Sequence, residues 1–194
     1  MPHQGLLVVI SSPSGGGKDV IISALVKKFN NSAKLITTTS RSPRPEDKEG
    51  VTYYFVSKED FEEKIKMNEM VEYNFYANNY YGVTKTELKN KQKNFNSIFT
   101  NVDVHGRKNL ISAGFKNLSI FLMPENLDDL KTRISRRGGL SDSEIEQRLQ
   151  TAKQEIDRAN EYDFQVINKN GKLPETIDNV AKIITKQLSS QLQT

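Results

Sequence analysis

Cysteine is missing from all 194 positions, which excludes disulfides and thiolate metal centres at once. Histidine is nearly missing: His3 and His105 are the only two, too few for a histidine-built metal site. A net charge of +4 suits a small anion as readily as nucleic acid, and no run of Lys or Arg longer than two favours the latter. Long apolar stretches are missing as well. The run GLLVVIS is far too short to cross a bilayer, and no basic segment followed by a long apolar one marks a leader. Internal repeats and low-complexity tracts are absent. A soluble protein of a reducing, cytoplasmic compartment is therefore expected, with neither membrane nor nucleic acid as a partner. What remains is ordinary globular material. Hydrophobic residues at 36% suffice for a core, and 194 residues suit one domain with a small insertion.

Residues 6–10 form a continuous apolar, β-branched run bounded by Gly and Pro, which predicts a buried parallel strand. A helix should follow, with Val20, Ile21, Leu25 and Val26 toward the core. Residues 34–38 read as a second short strand, and 40–50 (SRSPRPEDKEG) as a proline-punctuated loop. Ser57 and Asp60 open a short helix, 70–76 alternate as a strand, Tyr80-Tyr81-Gly82 reads as a turn, and Thr84 with Glu87 caps another helix. Strands are expected at 98–104 and 118–123, around a helix starting near Gly106. Asn126 caps a helix to Arg137 that Gly138-Gly139 breaks, and Ser141 with Glu144 starts the next, to about Asn160. A strand at 164–167 and a helix at 173–191 complete the alternation. It implies an α/β fold with a mostly parallel sheet flanked by helices, carrying residues 37–86, rich in aromatics, as a small α+β insertion. Ligands of such sheets sit at the carboxyl ends of the strands, where residues 11–18 lie.

That segment reads SSPSGGGKD (11–19). It resembles the phosphate-gripping consensus G-x-x-x-x-G-K-[ST], but has Ser12 in place of the first glycine and Asp19 in place of the hydroxyl residue. A strand, a glycine-rich turn, a lysine and then a helix is the context such a loop requires. Backbone N–H groups of Pro13-Ser14-Gly15-Gly16-Gly17 and the following residues (proline itself lending none) would converge on phosphate oxygens, helped by the positive end of the helix. Lys18 would reach the β- and γ-phosphates. The competing reading is a glycine-rich connection with an exposed lysine. Asp19 has two readings as well. It is a metal ligand, since a carboxylate beside phosphates repels them unless Mg²⁺ lies between, or it is an acid at a positive helix end, worth about 0.3–1 kcal/mol. Val20 supplies no hydroxyl either.

Four further blocks carry a more specific signal: TTTSRSPRPEDKEGVTYYF, VEYNFYANNYYGV, FTNVDVHGRKNL and RISRRGGLSDSEIEQRLQTAKQEI. In this order and spacing they resemble the guanylate kinase family, from about Leu6 to Ile184. The resemblance implies a P-loop NTPase core (1–36, 87–130 and 151–194), a nucleoside-monophosphate-binding insertion (37–86) and a helical lid (131–150). It implies ATP and GMP as partners, Mg²⁺ as cofactor, and a monomer or homodimer. By it, Arg41 and Arg44 grip the acceptor phosphate with Tyr53 and Tyr81, Thr37 lies in the same pocket, and Glu72 accepts hydrogen bonds from guanine N1–H and the 2-amino group. The chemistry agrees: arginine forks match phosphate, and a carboxylate suits two adjacent donors but not the N1 acceptor of adenine. Arg133, Arg137 and Arg148 match lid arginines on the ATP side, Asn168 matches a residue near the adenine, and Asn101 with Asp103 supports the metal or the acceptor. Lys18, Arg44, Arg137 and Arg148 would surround the transferring phosphoryl. A solvated Arg/Glu-rich helix face is the plainer account of the lid arginines.

Four places depart from the family pattern: Ser12, the Asp19-Val20 pair, Val83 in place of a hydroxyl residue that helps read guanine, and Asn101 in place of an aspartate. Lys-Asp in the loop, Tyr-Tyr-Gly-Val and Asn101 resemble ribose 1,5-bisphosphate phosphokinase instead, although Glu72 and the Arg-Ser-Pro-Arg loop do not. A non-catalytic guanylate-kinase-like binding module is a third reading. Restoring aspartate at Asn101 is expected to raise activity if that position serves catalysis.

Overall fold

The computed structural model describes residues 4–13, 15–135 and 141–191. Ser14, Arg137 and the Gly138-Gly139 break lie outside the described residues.

The first strand, β1 (Leu6–Ser11), is buried along its whole length. The reason is that both its faces are covered. Leu6, Val8 and Ile10 pack with Ile21, Ile22, Leu25, Val180 and Ile184 on one side, whereas Leu7 and Val9 pack with Leu88, Ile98, Leu110 and Phe121 on the other. A strand buried on two faces needs no polar alternation, hence its unbroken apolar run. The helix α1 (Lys18–Lys28) follows, buried through Ile21, Ile22 and Leu25, while Val20 is 57% exposed. Val20 therefore does not face the core as expected: it sits in the first turn, on the side away from the sheet.

Residues 34–38 are not one strand. They divide between β2 (Ser32–Lys34) and β3 (Thr37–Thr39), which belong to different sheets. Then come β4 (Tyr53–Phe55), α2 (Lys58–Lys66), β5 (Met70–Tyr76), β6 (Asn79–Thr84), α3 (Lys85–Asn94), β7 (Ser97–Thr100), α4 (Val104–Ser112), β8 (Leu118–Pro124), α5 (Leu127–Ser135), α6 (Asp142–Asp157), β9 (Phe164–Asn168) and α7 (Leu173–Gln191). The main sheet, ordered β2-β7-β1-β8-β9, is parallel throughout. The second sheet, β4-β3-β6-β5, forms the insertion and is mixed.

Two expected features move. Tyr80-Tyr81-Gly82 lies within β6; the turn is Ala77-Asn78, whose φ values of 48° and 63° are those of the two-residue hairpin loop that matches strand twist. Strand β7 stops at Thr100, because Asp103 caps α4 by accepting the Gly106 N–H at 2.8 Å and draws Val104 into that helix. The other caps are made as read: Ser57, Thr84, Asn126 and Ser141 each accept a backbone N–H three residues on.

The insertion is fastened to the core by Val71 and Val83, both buried against the β1 face. Glu87, 8% exposed, accepts the Ile36 N–H at 3.1 Å and the Tyr54 hydroxyl at 3.3 Å, tying α3 to the crossing between the sheets. Among the described residues no helix is long and apolar enough to cross a membrane.

Candidate active site

Strands β1, β7 and β9 all deliver their carboxyl ends to one edge of the main sheet, bringing residues 11–13, 15–18, 101–103 and 168–170 together. Gly15 and Gly17 have φ of 84° and 79°, the left-handed backbone that side chains resist, and Lys18 opens α1 directly after. Gly16 is required for another reason. A Cβ there would lie 2.4 Å from the Ser12 Oγ and 2.9 Å from the Pro13 carbonyl. The Ser12 departure is thus absorbed: its hydroxyl folds into the loop and donates to the Pro13 carbonyl at 3.1 Å.

Asn168 is buried beneath this loop. Its Nδ2 donates to the Gly16 carbonyl at 2.9 Å, and its Oδ1 accepts the Thr176 hydroxyl at 3.1 Å, so both ends of the amide are fixed. The structure therefore sets the Asn168 side chain against the phosphate loop. Arg133 reaches the same corner from α5, donating to the Asn168 carbonyl at 2.9 Å and to the Asn170 Oδ1 at 2.8 Å. A Cβ on Gly15 would lie 3.2 Å from Ile134 and 3.6 Å from the Arg133 Cβ, so α5 packs on the loop itself. Arg148 stands further along, on α6, whose Leu149 and Ala152 pack with Leu130 and Ile134 of α5.

Asp19, in the first turn of α1, is met from two sides. Asn101 donates from Nδ2 to its Oδ1 at 2.7 Å, and the Lys34 ammonium lies 3.5 Å from the same oxygen. Among the described residues no group of three or more acidic, histidine or cysteine side chains could cage a metal by itself. The oxygens of Asp19 nevertheless fit Mg²⁺, a hard cation that takes one or two carboxylates and obtains its other ligands from phosphates and water.

Across the edge, the insertion gathers cations and aromatic rings. The Arg41 guanidinium sits 5.3 Å from the Tyr53 ring centroid and 5.8 Å from that of Phe55, and Tyr53 meets Tyr81 edge-on at 6.2 Å. Thr37 pairs in register with Tyr53. The loop between β3 and β4 is braced by Asp47, which accepts the Arg41 guanidinium at 2.7 Å and the Arg44 N–H at 2.8 Å. Those two hydrogen bonds, the backbone one first, hold the Asp47 carboxyl below its ordinary range, and the Asp47 contact raises Arg41. The exposed Arg44 side chain forms no ion pair with the described residues. The sequence signal for Asp47 was an acid inside an arginine-proline loop, and it was missed.

Glu72 owes its direction to a bulge. Between the pairs Met70↔Thr84 and Glu72↔Val83, strand β5 carries one residue more than β6. Such an insertion re-aims the next side chain, sending Val71 into the core and Glu72 toward α4. A Cβ on Gly106 would lie 2.8 Å from the Val102 Cβ and 3.1 Å from Glu72 Oε2, so the carboxylate lies close against the first turn of α4. Burial, and then the nearby Asp103 carboxylate, push the Glu72 carboxyl up to about 7, tempered by a hydrogen bond from the Val83 backbone N–H. The Val83 side chain is buried in the core, so this strand position addresses Glu72 through its main chain.

The geometry can be set beside known proteins. A family model described as guanylate kinase matches residues 4–187. The chain belongs to the guanylate kinase family. It is thereby a kinase with the nucleotide-binding P-loop fold. It is 38% identical to a guanylate kinase of Lactobacillus johnsonii over 185 residues, covering 95% of this chain and 90% of that one. It is 37% identical to a guanylate kinase of Mycoplasmoides gallisepticum over 186 residues, with 94% and 93% covered. The crystal structure of guanylate kinase from Anaplasma phagocytophilum superposes with a TM-score of 0.69 at 26% identity, covering 96% of this chain and 87% of that one.

Proposed function

We propose that the protein transfers the γ-phosphoryl group of ATP to GMP, giving ADP and GDP, with Mg²⁺ accompanying the donor. The observation that carries this reading is Glu72: a carboxylate aimed by a bulge of the second sheet toward Gly106 of α4, the helix that follows β7 of the main sheet. A carboxylate there offers two acceptors to the N1–H and 2-amino donors of guanine, and would oppose the N1 acceptor of adenine.

The mechanism is positioning and charge neutralisation without a covalent intermediate. Lys18, at the start of α1, and the loop N–H groups hold the donor's phosphates. Arg41, Tyr53 and Tyr81 hold the acceptor's phosphate, and Arg44, whose side chain forms no ion pair with the described residues, serves the transferring group. Arg137 and Arg148 are assigned to the same charge from the lid (131–150), and Arg133 orders the donor side. Asp19 is the residue that would hold Mg²⁺, which would supply charge neutralisation to the donor's phosphates. dGMP is expected to serve as an acceptor alongside GMP.

A coupled ADP-release assay with ATP-Mg²⁺ against GMP, dGMP, AMP and ribose 1,5-bisphosphate tests this. Turnover of GMP and dGMP that Glu72→Ala abolishes supports the reading. Turnover of the ribose bisphosphate alone, or nucleotide binding without turnover, refutes it in favour of a sugar kinase or a binding module.

A further inference from the structure

Position 19 is where the phosphate-loop consensus has a hydroxyl that contacts Mg²⁺. Here it carries a carboxylate, and that carboxylate has a dedicated partner. Asn101 donates to Asp19 Oδ1 at 2.7 Å across 82 positions of sequence, and Lys34 approaches the same oxygen at 3.5 Å. The contact is a product of topology. Strand β7 runs parallel to β1, so the residue just past its end faces the first turn of the helix that follows β1. Asn101 is chemically matched to this place: it donates an N–H where an aspartate would set a second carboxylate at contact distance. Both contacts fall on Oδ1, and the Asp19 side chain is 63% exposed, so its other oxygen is available to a ligand.

We infer that Asp19 and Asn101 work as one transposed pair: the carboxylate that meets the divalent cation of the donor triphosphate is carried by α1, and Asn101 is the positioning residue that holds it. This rests on the proposed reading of residues 11–18 as a triphosphate site. Asp19 beside phosphates is repulsive without a cation and attractive through one. Lys34 supplies the counter-charge while no cation is present. The pair therefore makes nucleotide binding conditional on metal. It also reverses the expectation for Asn101→Asp, which in this structure opposes Asp19 and so lowers activity.

The test is calorimetric titration of ATP into the full chain in Mg²⁺ and in EDTA, with the ratio of the two affinities as readout, alongside Mn²⁺ binding to the ADP complex by electron paramagnetic resonance. Asp19→Asn is expected to bind ATP more tightly in EDTA and more weakly in Mg²⁺, lowering the ratio at least tenfold. Asn101→Ala should lower it severalfold, and the exchanged variant Asp19→Asn/Asn101→Asp should recover most of it. Wild-type ratios in Asp19→Asn, or an exchanged variant no better than Asp19→Asn, overturn the pairing while leaving the triphosphate site standing. Absence of ATP binding by the wild type in both buffers overturns the site reading and the pairing with it.

Discussion

Replacing Glu72 by glutamine removes an ionisable group whose folded-state pKa is raised from 4.5 to about 7. The sign follows from linkage. Between those two values the unfolded chain is ionised and the folded one protonated, so stability is fully present below pH 4.5 and is lost as pH rises toward 7. A shift of this size corresponds to about 3 kcal/mol of stability across that window. For a chain of this length that is roughly 6–12 °C in Tm. Thermal melts of wild type and Glu72→Gln between pH 4.5 and 8 should therefore converge on a common slope above pH 7 and diverge below it. The wild type should gain relative stability toward acid, because the variant lacks the protonation that favours the fold. On the proposed function the same group controls the acceptor. Guanine's donors need the ionised form, which is about 10% populated one unit below the pKa and about 90% one unit above it. GMP affinity in the absence of donor should rise about tenfold from pH 6 to pH 8 in the wild type, beyond any rise in Glu72→Gln. The variant subtracts the titration of the GMP phosphate itself, whose second pKa is about 6. Calorimetry in buffers of different ionisation enthalpy should show proton release on GMP binding near pH 6.5. Identical pH slopes in wild type and variant would refute the argument.

Gly16→Ala should weaken ATP binding at least tenfold, because its Cβ meets the Ser12 Oγ at 2.4 Å; Ser12→Gly added to it should recover part of the loss, measured by ATP titration. Glu87→Ala should cost about 1–3 kcal/mol in urea denaturation, since the Ile36 N–H and Tyr54 hydroxyl lose their acceptor; Glu87→Gln, which keeps one, should cost less. Ala77→Gly should stabilise by about 0.5–1 kcal/mol, since alanine is strained at φ 48° and glycine is not, and melting should show the gain with ATP binding unchanged.

The phosphate loop was legible in the chain because its signals are local. An apolar run, a glycine cluster and a lysine act within a dozen residues, and β1, residues 11–17 and α1 follow in that order. The four helix caps were legible for the same reason: each is a side chain bonding a backbone N–H three residues away. Short-range rules failed where a tertiary partner decided the outcome. Residues 34–38 divided because β2 pairs with β7 while β3 pairs with β4 and β6, a choice made by strands far along the chain. Val20 turned outward because the face of α1 was set by what α7 and the sheet left to cover.

The candidate site divides along the same line. The glycine-rich loop stood out by its own local pattern, whereas Arg41, Arg44, Tyr53, Tyr81 and Glu72 were singled out by the resemblance to the family; the charge and hydrogen-bonding capacity that suit them to a nucleotide are properties of a side chain wherever it lies. Only the tertiary structure decided that Asp47 occupies Arg41, that Asn168 carries the Gly16 carbonyl, that Asn101 is matched to Asp19, and that a bulge buries Glu72 until it holds its proton near neutrality. Each of these is an interaction whose strength falls within a few ångströms, and it comes into being only when sheet order or loop closure brings the two groups into contact.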